Sequence, residues 1–163
     1  MPQKIRIVYV TSSNFKKEEN AVFVQEASLG DGRAVRDLFT FDIRHVPIRE
    51  ILNVDLAVMV SAEVVSAYIQ LKVPCIVEHA GLVFDDYSKL SYPGGLTKPM
   101  WDTLKERFVD ETRSAGRKAM ARAVIAYCDA MSVRTFVGER TGKIADSPPR
   151  KPEILLGHYL HSG

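Results

Sequence analysis

Apolar and polar positions along this chain fall into short β-like runs separated by stretches of helical spacing. Residues 4–10 (KIRIVYV) are β-branched between polar flanks, which predicts a buried first strand. The run stops at Thr11-Ser12-Ser13-Asn14, whose hydroxyl and amide side chains can cap a helix. Residues 15–28 then carry helical periodicity through Phe15, Ala21, Val22, Val24 and Gln25. Residues 29–33 read as a turn, 38–43 (LFTFDI) as a second strand, and 45–52 as a connection holding Glu50. Residues 54–71 are ambiguous, with a β-branched first half and a helical second half.

The most informative stretch is 73–98. A short apolar run, Cys75-Ile76-Val77, ends in Glu78-His79 and then Ala80-Gly81, after which Val83-Phe84 lead into Asp85-Asp86. A strand that delivers a carboxylate and an imidazole into a glycine turn is one way to present a site. A buried strand with a polar end fits the same spacing. Further on, 100–108 reads as an amphipathic helix with Trp101, Leu104 and Phe108 on one face. Residues 119–131 are apolar and fit strand or helix, and 133–137 read as a strand leading to Gly138. Proline-rich residues 146–152 cannot hold regular structure, so 146–163 is expected to be an irregular tail. Strands alternating with helices place the chain in the α/β class with a mixed sheet.

Composition narrows the partners. With 163 residues, 46% of them apolar, a single domain over residues 1–163 is expected. A net charge of +2 gives no reason to expect nucleic acid or an anionic membrane as partner. No apolar run approaches the ~20 residues that span a bilayer, and no secretion signal is visible, so a cytoplasmic protein is expected. Cys75 and Cys128 sit in apolar segments and read as reduced core residues. Lys16 and Lys17 fall in the first helical turn, where the helix dipole opposes cations unless an anion binds there. A phosphate cradle and a plain strand–cap–helix corner both remain open.

Four segments recur in a recognisable order: T-S-S-N-F-K-K from Thr11, V-E-H-A-G-L from Val77, P-G-G-L-T-K from Pro93 and F-V-G-E-R-T-G-K-I from Phe136. Together they resemble the Ham1, or inosine triphosphate pyrophosphatase, family, which reads T-(S/G)-N-x-x-K, V-E-D-(S/T)-G-L, P-G-x-x-x-K and F-x-G-x-x-x-G-x-I. The resemblance implies an α/β fold whose two lobes flank a nucleotide cleft, usually in a homodimer. It also implies magnesium-dependent hydrolysis of inosine, deoxyinosine and xanthosine triphosphates to monophosphate and pyrophosphate. By motif match, Thr11, Ser13, Asn14 and Lys17 fall at triphosphate-binding positions and Lys98 at a nucleotide-contacting one. Glu50 is the match to the magnesium-binding glutamate, and a solvated loop carboxylate is the other reading of it. By the same resemblance, 55–71 is taken as mostly helix.

Three departures alter that expectation. His79 stands where the family's V-E-D places its catalytic aspartate, beside Glu78, and imidazole is a poor ligand for hard magnesium. Metal anchoring would then fall to Glu78, Asp85 or Asp86. Glu63 stands at about the place of a phosphate-facing lysine, where it would repel a triphosphate. The family's F-G-(Y/W)-D-P and S-H-R segments, which hold the base, have at most a remnant in Gly157-His158-Tyr159. The expected function is therefore a nucleotide-binding protein for dITP or ITP with weak or lost hydrolysis. Such a protein would be a sensor or regulatory subunit for an effector, as in antiviral systems that pair a Ham1-like protein with a Sir2-like NADase. An active pyrophosphatase is the alternative, and a scaffold that binds no nucleotide stands behind both.

Overall fold

The computed structural model describes residues 3–112 and 117–145; the expected tail, 146–163, lies outside them. Its strands are β1 (Ile5–Val10), β2 (Phe39–Arg44), β3 (Cys75–Phe84), β4 (Pro93–Gly94), β5 (Lys118–Cys128) and β6 (Val133–Lys143). Its α-helices are α1 (Asn14–Glu26), the single turn α2 (Val35–Leu38), α3 (Leu56–Leu71) and α4 (Thr97–Leu104). Two 3₁₀ segments, Asp85–Leu90 and Lys105–Thr112, complete the order. The strands form one mixed sheet in the order β2-β1-β3-β5-β6, with β4 beside the far end of β3.

β1 runs parallel to both β2 and β3, and all other pairings are antiparallel. From β1 the chain crosses to β2 on one side, then returns through α3 to β3 on the other. The strand order therefore reverses at β1, and in open α/β sheets the crevice beyond the carboxyl end of such a strand is where ligands bind. β1 pairs with β3 only at Val8–Cys75 and Tyr9–Ile76, whereas β4 begins opposite Leu82. The edge of β3 from Glu78 to Gly81 faces the opening between them.

α3 resolves the ambiguous segment as a helix, capped by the Asp55 carboxylate on the amides of Ala57 and Val58. Its β-branched residues override their local preference because one helix face is buried. Val60, Val64 and Ala67 pack on Val8 and Val10 of β1, Cys75 and Val77 of β3, and Val124, Ala126 and Cys128 of β5. On the opposite sheet face, Phe84 packs with Phe108, Val109 and Ile144, joined by Trp101 and Leu104 from α4. The amphipathic helix expected at 100–108 begins earlier, at Thr97, and passes into a 3₁₀ segment at Lys105.

Two strand expectations change. β3 does not turn at Ala80-Gly81; it continues to Phe84 because β5 pairs with it along its whole length. β6 likewise runs through Gly138 to Lys143, although every one of its residues is exposed. Cys75 and Cys128 face each other across β3 and β5 as buried free thiols. Burial pushes the Cys75 thiol up to about 11, so it stays an uncharged core group.

Gly81 permits a close approach between β3 and β4. A Cβ there would collide with the carbonyl of Gly94, which itself has φ +51°. Thr97 then locks the P-G-G-L-T loop in place. Its buried hydroxyl donates to the Gly94 carbonyl at 2.7 Å and accepts from the Leu82 amide at 2.8 Å.

Candidate functional site

Successive strand residues face opposite sides of a sheet, so Glu78 and His79 project away from each other although they are adjacent. Glu78 shares its face with Tyr9 and meets α1. Ser13 caps α1, its hydroxyl accepting from the Lys16 amide at 3.3 Å, while Thr11 Oγ1 accepts from the Ser13 amide at 3.1 Å. That cap fixes the phase of the helix and aims Lys16 back at β3. The Lys16 ammonium lies 3.1 Å from the Glu78 carboxylate and also donates to the Glu78 carbonyl, bridging the unpaired edge of the strand. The Tyr9 hydroxyl donates to the same carboxylate at 3.3 Å. Burial, then the charge of Glu78, holds the Tyr9 phenol far above its ordinary value, so it acts as a fixed donor.

His79 shares its face with Val124 and meets α3. Its Nε2 lies 2.6 Å from Glu63 Oε2. Glu63 is only 2% exposed, the one buried carboxylate among the described residues. Its second oxygen, Oε1, is buried with no hydrogen-bond partner. Glu50 comes from the irregular segment between β2 and α3, and its carboxylate completes a group with Glu63 and His79. Their ligand atoms all lie within 4.8 Å of one another. A cavity of about 170 Å³ borders this face, lined by the start of α3, Val124, Val137 and the Arg122–Glu139 ion pair.

The sequence-derived site residues therefore fall into two groups and three outliers. Thr11 and Ser13 are used by the chain itself as turn and cap beside Lys16 and Glu78. Asn14 and Lys17 are exposed on the first turn of α1, and Lys98 is exposed on α4. Glu50 and His79 are brought together through Glu63. Sequence reasoning took Lys16 together with Lys17 as a possible anion contact and not as a partner of Glu78, passed over Tyr9, and treated Glu63 as an isolated repulsive charge. The alternation of KIRIVYV could have placed Tyr9 on the face of Ile76 and Glu78. Two opposite charge changes, at a lysine position and an aspartate position, were the available signal for the Glu63–His79 pair.

Magnesium prefers an all-oxygen, largely hydrated octahedral shell, and one of the three donors here is an imidazole. Glu50, Glu63 and His79 do not suit it.

The fold and crevice define a mixed-sheet α/β protein with charged groups gathered near the point where strand order reverses. The chain belongs to the Ham1 family, whose model matches residues 7–154. No curated protein sequence matches it. Two solved structures share its fold at low identity. One is the nucleoside-triphosphatase, or dITP/XTP pyrophosphatase, of Mycobacterium abscessus, with TM-score 0.60 and 15% identity over 89% of this chain and 77% of that one. The other is the Staphylococcus aureus Ham1 protein, with TM-score 0.55 and 14% identity over 89% and 74%. Among the described residues, no helix is long and apolar enough to cross a membrane.

Proposed function

We propose that this chain binds a non-standard purine nucleoside triphosphate of the dITP or ITP kind, with weak or lost hydrolysis, and acts as a sensor or regulatory subunit. The observation that carries this reading is the 2.6 Å contact between His79 and the buried Glu63 carboxylate. At the position where the family motif has an aspartate, the side chain is an imidazole tied to a second residue. An imidazole is a poor anchor for hard magnesium, and the contact with Glu63 takes up the Nε2 that could otherwise activate water. The phosphate end of the crevice is better equipped. It combines the N-terminus of α1, the Ser13 cap and the Lys16 ammonium, a combination suited to an anion.

Ligand retention without turnover suits a sensor, because the ligand has to persist while a partner responds. A nucleotide shifts that partner only by its different affinity for the partner's two states. The partner in this reading is a second copy of the chain or an effector enzyme of the NADase kind. The test is to incubate the pure protein with dITP or ITP and magnesium, and to follow pyrophosphate release beside equilibrium binding. Saturable binding with slow release is expected. Rapid release would favour the pyrophosphatase reading, and absence of binding would overturn nucleotide recognition.

A further inference from the structure

We propose that Glu50, Glu63 and His79 form a site for a borderline divalent cation such as Mn²⁺, Co²⁺ or Zn²⁺. The three donors come from three separate parts of the chain, yet their ligand atoms lie within 4.8 Å of one another. That spacing lets one ion touch all three at ordinary metal–ligand distances. The second observation is Glu63 itself. It is buried to 2% exposure, one of its oxygens is tied to His79, and the other has no hydrogen-bond partner. A buried carboxylate oxygen with no donor is costly, and a cation supplies what it lacks.

The donor set selects the class of ion. Two carboxylates and one imidazole suit first-row transition cations and zinc, whose affinities follow ligand type and the Irving–Williams order. The 2.6 Å contact between His79 Nε2 and Glu63 Oε2 already brings a nitrogen and an oxygen donor together at one point. Glu50 is the exposed member of the group, so solvent or a ligand can reach the site from its side. In the nucleotide reading proposed above, on which this last step rests, triphosphate oxygens would take the remaining coordination positions. The ion would then turn a pair of repelling carboxylates into an attraction for the ligand.

The test uses the full chain, stripped with chelator and free of nucleotide. Mn²⁺, Co²⁺, Zn²⁺ and Mg²⁺ are titrated in turn by calorimetry, with visible absorption for Co²⁺ and electron paramagnetic resonance for Mn²⁺. The expected result is one Mn²⁺, Co²⁺ or Zn²⁺ per chain, bound more than roughly tenfold tighter than Mg²⁺. Glu63→Gln and Glu50→Gln should each weaken that binding by more than roughly tenfold. Glu50 is exposed, so its variant should fold whatever becomes of the buried one, and circular dichroism checks both. Absence of saturable binding, Mg²⁺ binding as tightly as Mn²⁺, or unchanged affinity in Glu50→Gln would overturn the proposal. Metal binding without any dITP binding would leave the site standing and count against the nucleotide reading instead.

Discussion

Two polar side-chain pairs lie one residue apart on β3, and they differ in almost every respect. Lys16–Glu78 is partly open to solvent, shares its carboxylate with Tyr9, and ties α1 to the edge of the strand. Glu63–His79 lies on the other sheet face, with the carboxylate buried beneath α3 and one oxygen unpartnered. The first pair is a satisfied network at the mouth of the crevice. The second is a buried carboxyl group held by one short contact. Pairs of the first kind contribute modestly and can be edited; those of the second fail badly when one partner is removed. The alteration that sets this chain apart from its family's motif falls on the second kind.

The largest effect should come from His79→Asp. Without its partner, Glu63 would face a second carboxylate under α3, and breaking such a pair costs about 3 kcal/mol. The melting temperature measured by calorimetry should fall by roughly 6–12 °C. Adding Glu63→Lys rebuilds the pair with reversed charges and should restore most of that loss. A double variant no more stable than the single one would show that the two residues are not coupled. If the family arrangement is also what turnover requires, pyrophosphate release should rise in the double variant and not in the single one.

Lys16→Ala should cost about 1 kcal/mol in chemical denaturation. It should also weaken dITP binding more than Lys17→Ala does. Equal effects would mean that Lys16 serves only to pin the strand. Tyr9→Phe tests the same network through pH. The folded state keeps the Tyr9 phenol protonated, whereas the unfolded chain releases that proton near pH 10. The resulting stability is fully present below that pH and is lost as pH rises above it. Tyr9→Phe should flatten that alkaline decline and leave stability near neutral pH within about 1 kcal/mol of wild type. The smallest change belongs to Arg122→Ala, which breaks the more exposed pair with Glu139 and should shift stability by no more than about 0.5 kcal/mol.

Much of the fold was legible in β-branched runs and cap chemistry: KIRIVYV ends in the buried Val8, Tyr9 and Val10, and Ser13 caps α1. α3 was locally misleading, since its β-branched residues serve a helix face buried against three strands. β3 hid its length because Glu78 and His79 interrupt the apolar run while the backbone continues pairing with β5. β6 hid its length for the opposite reason: with every residue exposed, nothing forces alternation beyond Gly138. At the site, motif order located β3 and the α1 turn. It did not show that helix phase selects Lys16 rather than Lys17 to meet Glu78, nor that Glu63 reaches His79 across the αβ connection.

The brief meeting of β1 and β3 also bears on the order in which the molecule assembles. Glu63 and His79 lie 16 positions apart in the chain, and Lys16 and Glu78 lie 62 apart. Closing the longer loop costs about 1 kcal/mol more in chain entropy, against only two strand residues of parallel pairing gained. α3 with β3, and the β5–β6 hairpin, are closed by short stretches of chain and are expected to form early. β1 then docks late, and the crevice exists only once it has. A nucleotide-binding signal followed during refolding should therefore lag behind secondary structure, reporting the last joint in the sheet to close.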